Sequence, residues 1–128
     1  MLGEEVQTLI ESGLAAISRD KGLSPMEMEI RASSLLLFVA TLARVRNDLE
    51  RTLIKQTSLS TGSYAKAVHA QEKGNITEKK LLAETDTTYI ASREASEEIE
   101  SDLTYLKTII DVFRDGHIMW RMFIRSDT

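Results

Sequence analysis

Apolar residues recur at helical spacing from the start of the chain. Val6, Leu9, Ile10, Leu14 and Ile17 stand three and four apart, the stripe of one amphipathic helix, which predicts a short helix over about residues 4–18. Glu4 and Glu5 suit its N-terminal end, where the helix dipole favours negative charge. Gly13 weakens its middle, and Asp20, Lys21 and Gly22 close it, with glycine where a left-handed cap is wanted. The next start signal is the strongest in the sequence. Ser24 is an N-cap, Pro25 takes the first helical position, and Glu27 completes a capping box. No further proline or glycine follows until Gly62, and Leu35, Leu42 and Leu49 repeat every seven residues with Phe38 and Val45 between them. That is an a/d packing seam on a long helix.

From Thr57 to Ser63 the pattern is lost in Thr, Ser, Leu, Ser, Thr, Gly, Ser, where hydroxyl side chains compete for the backbone and glycine is costly in a helix. A bend, fray or break is expected there, so the long helix is placed at about residues 25–56, or on to 73. Lys73, Gly74 and Asn75 mark a turn and the tip of a hairpin, and Asn75 with Glu78 forms a second, weaker capping signature. Beyond it a helix is expected without interruption over about residues 76–125. Ile99, Leu106, Phe113 and Trp120 hold one heptad position and Leu103, Ile110, His117 and Ile124 the other, the phase running straight through Gly116.

These elements predict an all-α fold in one domain, residues 1–128: a long antiparallel helical hairpin with a short N-terminal helix. Two helices cannot cover seams this wide, and Leu36, Leu37, Val39, Ile109 and Val112 add apolar surface outside them. A homo-oligomer is therefore expected, with Leu106, Ile110, Phe113, His117, Trp120 and Ile124 as its interface. His117 and Trp120 could serve as a pH-sensitive group or a base-stacking ring. Their place in the seam favours an interior or interface role for both.

Composition adds exclusions. With 128 residues the core is modest, and one proline, six glycines, 42% apolar and 28% charged residues agree with helix. Without cysteine there are no disulfides and no thiolate chemistry. The longest apolar run, Leu35 to Ala40, is too short for a bilayer span, and no secretory leader opens the chain, so a cytoplasmic protein without membrane contact is expected.

No nucleophile, base and metal constellation converges. Glu94 and Glu98 lie one turn apart, but neither His69 nor His117 completes a di-metal pattern. There is no phosphate loop, dinucleotide fingerprint or nucleophile elbow. A protein that is not an enzyme and needs no cofactor is expected.

Charge is the remaining signal. The net charge of −4 divides into −3 for residues 1–41, +4 for 42–80, −6 for 81–104 and +1 for 105–128. Arg44, Arg51 and Lys55 follow one helix face, Lys66, His69 and Lys73 repeat that geometry, and Lys79 and Lys80 stand across the turn. Such a line could track a phosphate backbone, binding by counterion release without reading sequence. Tyr64 is the one aromatic within it, a thin basis for stacking. The same segregation would equally serve contacts between copies of a helical structural or adaptor protein.

Residues 30–126 resemble the UvsY recombination mediators of tailed phages. The likeness lies in a long charged helix, a basic run ahead of a glycine turn, an acidic helix start and a closing apolar helix from Ile99 to Ile124. It is densest from Asp102 to Ile110, Asp-Leu-Thr-Tyr-Leu-Lys-Thr-Ile-Ile. The resemblance implies a ring-forming homo-oligomer in the host cytoplasm that binds single-stranded DNA and contacts a recombinase and a single-strand-binding protein. It implies DNA contact by Lys66 and Lys73, with His69 beside them and Val68 where the family carries a second cation.

Overall fold

In the computed structural model the described residues are 2–20, 22–71 and 74–127. They form four α-helices: α1 Glu4–Ile17, α2 Pro25–Ala70, α3 Ile76–Ala83 and α4 Thr87–Asp127. Among the described residues there is no strand, and no helix is long and apolar enough to cross a membrane. The two long helices pack on each other.

The local signals act as written in the chain. The Glu27 N–H donates to Ser24 Oγ at 3.2 Å and α2 begins at Pro25. The Glu78 N–H donates to Asn75 Oδ1 at 2.9 Å and opens α3, behind a Gly74 held at φ +101°. Gly22 is also left-handed, at φ +81°, but α1 closes earlier, at Ile17.

Two boundaries differ from expectation. The helix expected over 76–125 is interrupted: α3 ends at Ala83, Thr85 Oγ1 donates to the Leu82 carbonyl at 2.7 Å, and Asp86 caps a new helix by accepting the Tyr89 N–H at 2.9 Å. Short oxygen-bearing side chains here offer the backbone an alternative to continued helix, an interruption that needs neither glycine nor proline. Conversely, α2 passes through Thr57 to Ser63 unbroken. It is tied to α4 on both sides of that stretch, by Gln56 Nε2 donating to the Ser92 carbonyl at 3.3 Å and by Tyr64 against Tyr89, ring centroids 5.1 Å apart. Those contacts outweigh the weak local propensity.

The described chain divides into two compact units, residues 1–47 with 104–128 and residues 48–103, and α2 and α4 contribute to both. In the first unit α1, α2 and α4 share a core of Ile10, Ala32, Leu35, Val39, Leu42, Leu106, Ile109, Ile110, Phe113 and Trp120. Glycine makes the close approaches possible: a Cβ at Gly13 would collide with the Phe113 ring, and one at Gly116 would stand 2.8 Å from Ile17 Cγ1. Trp120 Nε1 donates to the Ala16 carbonyl at 2.7 Å, which satisfies the indole while its ring is buried. Arg31 closes the α1–α2 loop, donating to the Ser18 carbonyl at 2.5 Å and to Asp20 Oδ2 at 2.9 Å. In the second unit the buried residues are smaller, Ala67, Ala83 and Ser96 beside Leu103.

Candidate nucleic-acid interface

Four of the six residues proposed for an interface between copies occupy the interior instead. Leu106 and Phe113 are fully buried, Ile110 is 1% exposed and Trp120 2%, all inside the first unit of one chain. The assignment of these four as an oligomer interface is therefore corrected: they are buried within one chain, Phe113 and Trp120 against α1 at Gly13 and Ala16, and have no surface left for a partner. Val39 and Ile109 are buried by the same packing, whereas Leu36, Leu37 and Val112 stay exposed. His117 and Ile124 are half-buried. The His117 Nδ1–H donates to the Ala32 carbonyl at 2.9 Å, the direction set by a carbonyl that only accepts. Arg121 donates to Glu29, and this bond holds the Glu29 carboxyl below its ordinary value. Arg121 is thus a cation already engaged within the chain.

The basic residues have the opposite character. Arg44 is exposed on α2 in the first unit. In the second unit Arg51, Lys55, Lys66 and His69 are all exposed on α2. Their spacings of four, eleven and three return to one side of a helix with 3.6 residues per turn. No acid interrupts the sequence from Arg51 to Gln71. Lys80 is exposed on α3 and Lys79 half-buried; Lys73 lies outside the described residues. On α4 of this unit Glu94, Glu97, Glu98 and Glu100 are exposed and Arg93 meets Glu97 at 3.7 Å, while on α2 Asp48 and Glu50 precede the stripe. From Arg51 to the end of α2 the charge is cationic alone, which makes this stretch a one-sided cationic stripe.

Two features beside this stripe were not anticipated. Tyr89 comes from α4 to pair with Tyr64, and the Arg93 guanidinium lies 5.7 Å from the Tyr89 ring centroid. A cleft of about 290 Å³ opens among Ser63, Lys66, Ala67, Ala70, Asp86 and Thr88. The Asp86 cap, three residues ahead of Tyr89, was the local signal available for both, because it sets where α4 begins. A second cleft, about 310 Å³, lies in the first unit among Arg19, Asp115, Ile118, Met119, Met122 and Phe123, with Arg19 over the Phe123 ring at 4.6 Å. Its walls are largely apolar and contain none of the basic residues proposed for DNA. Among the described residues no three His, Asp or Glu side chains converge as a cation site requires.

Compared with protein-family models, curated proteins and solved structures, the chain matches none.

Proposed function

We propose that this protein is a recombination-mediator-type accessory protein: it holds single-stranded DNA electrostatically and helps load a recombinase in place of single-strand-binding protein. The observation that carries the reading is the α2 stripe, in which Arg51, Lys55, Lys66 and His69 are exposed on one side of a helix segment free of acids. A strand of phosphates laid along it would release counterions, giving affinity without sequence preference. The resemblance of residues 30–126 to the UvsY mediators supplies the biological setting, a cytoplasmic homo-oligomer acting between a recombinase and a single-strand-binding protein.

Antiparallel packing of α2 and α4 belongs to the same reading. Phe38 meets Phe113, Leu35 approaches Gly116, Ala32 accepts from His117 and Glu29 from Arg121, so one number falls as the other rises. Assembly is supported by the apolar side chains left outside. Met26, Ile30, Leu37, Ile118 and Met122 in the first unit and Ile54, Leu59, Ile76 and Leu81 in the second are each more than half exposed.

The test is fluorescence anisotropy of a labelled single strand titrated with protein over a salt series, paired with solution mass by light scattering. Tight binding at low salt that weakens steeply with salt, together with a mass above the monomer, is expected. An adaptor that acts only through assembly gives the larger mass without the binding. No binding at low salt overturns the DNA reading, and a monomer unaffected by DNA overturns the assembly as well.

A further inference from the structure

The cleft in the second unit carries both signs of charge, which decides what it suits. Lys66 lines it from α2 and Asp86 from the cap of α4, with the Ser63 and Thr88 hydroxyls and the Ala67 and Ala70 methyl groups completing the lining. A bare phosphate would be repelled by Asp86 and a bare cation by Lys66. A group with an amine on one edge and an anion a few ångströms away meets both. Resting on the single-strand reading above, we propose that this cleft takes one nucleotide of the bound strand. In that arrangement the base lies against the alanines, its exocyclic amine donates to Asp86, and its phosphate meets Lys66.

Each part has a stated chemical reason. An ionised carboxylate offers about four acceptor sites, and capping α4 through the Tyr89 N–H uses one of them. Asp and Glu are the side chains that accept from the cytosine amine, while thymine presents a carbonyl at the same position and would face Asp86 acceptor to acceptor. Small side chains at positions 67 and 70 leave the volume for a flat ring. Lys66 belongs both to the cleft and to the cationic stripe, so a nucleotide seated here stays continuous with phosphates running along α2. The walls are braced before any ligand arrives. Tyr64 and Tyr89 pack ring to ring, and Gln56 reaches the Ser92 carbonyl at 3.3 Å, fixing α2 against the first turns of α4. A preorganised wall loses less on binding than one that must be ordered.

The consequence is a base preference superimposed on sequence-independent binding. Anisotropy titrations of the full chain with labelled oligodeoxycytidylate and oligothymidylate of equal length, both pyrimidine strands, test it directly. The cytidine strand is expected to bind about tenfold more tightly, as one charge-assisted hydrogen bond gained against one repelled would give. That ratio should persist across the salt series, because it does not arise from counterion release. Asp86→Asn caps a helix as well as aspartate does, so fold is retained, with the helical melt by circular dichroism as the check. It should abolish or invert the preference, because an amide also donates. Lys66→Ala should weaken both strands alike and reduce the salt slope by about one. Equal affinity for the two strands, or a preference that survives Asp86→Asn, overturns the nucleotide cleft while leaving single-strand binding in place. Failure of both strands to bind at low salt overturns both proposals.

Discussion

The two units of this protein are filled differently. In the first, Leu35, Leu42, Leu106, Ile110, Phe113 and Trp120 meet in a core of large side chains, and Gly13 and Gly116 let neighbouring helices approach. In the second, Leu103 is buried with the smaller Ala67, Ala83 and Ser96, while Ile54, Leu59, Ile76 and Leu81 are each at least 60% exposed. Full burial of a large apolar side chain is worth about 1.5–3 kcal/mol, and an alanine methyl far less. Stability therefore resides mainly in the first unit. The second is held by small buried side chains, the Tyr64–Tyr89 ring pair and the Gln56 tether, and its surface carries charge, a cleft and exposed apolar side chains.

The contrast is broken most directly by truncation. Phe113→Ala should cost about 3–5 kcal/mol in urea denaturation, whereas Leu59→Ala, on an exposed site, should stay within about 0.5 kcal/mol. Comparable losses would mean that the second unit hides a core of its own. Gly13→Ala comes next. The added methyl must displace the Phe113 ring or the α1 backbone, an overpacking that costs about 1–3 kcal/mol by the same measurement.

Within the second unit the Asp86 cap starts α4. Asp86→Ala should lower stability by about 1 kcal/mol, read as a drop in Tm, while Asp86→Asn should be near neutral. Arg51→Ala with Lys55→Ala should change stability by less than about 0.5 kcal/mol each, these side chains being exposed. The same pair should reduce the salt slope of single-strand binding by about 0.9 per cation removed. A stability loss without a change in slope would transfer these cations from ligand binding to structure.

The smallest effect is at the rim of the first unit. The hydrogen bond from Arg121 holds the Glu29 carboxyl below its ordinary value of 4.5, so the folded state favours its ionised form. That contribution is present above pH 4.5 and fades as pH falls through the lowered folded value. Glu29→Gln should therefore flatten the acid side of the stability profile by lowering the urea midpoint slightly above pH 4.5, where the ionised carboxylate contributes, and leaving it nearly unchanged in acid, where the carboxyl is already protonated.

How much of this was legible without coordinates follows from the range of each interaction. Ser24 with Glu27 and Asn75 with Glu78 are bonded three residues apart, and both helix starts were read correctly from local chemistry. The heptad from Leu103 to Trp120 marked a buried face, since helical periodicity alone places Leu103, Leu106, Ile110, Phe113 and Trp120 on one side. Exposure of Arg51, Lys55, Lys66 and His69 was legible for the same reason. The break at Asp86 is also local, but it is made by side-chain oxygens in a stretch that holds neither glycine nor proline.

What covers that buried face was a tertiary decision. The periodicity of α4 is the same whether α1 of the same chain or a second copy lies over it, and Ala16 bonding to Trp120 across more than a hundred residues settles it for α1. Continuity of α2 past Gly62 depended on Ser92 and Tyr89, and the cleft on Lys66 and Asp86 coming together from separate elements. By itself the sequence determined where helices begin, which sides are apolar and which helix is cationic, because each rests on residues within a turn or two of one another. Only the tertiary structure decided which apolar side meets which and which charges share a cleft, because those contacts join residues whose separation along the chain carries no periodic signal.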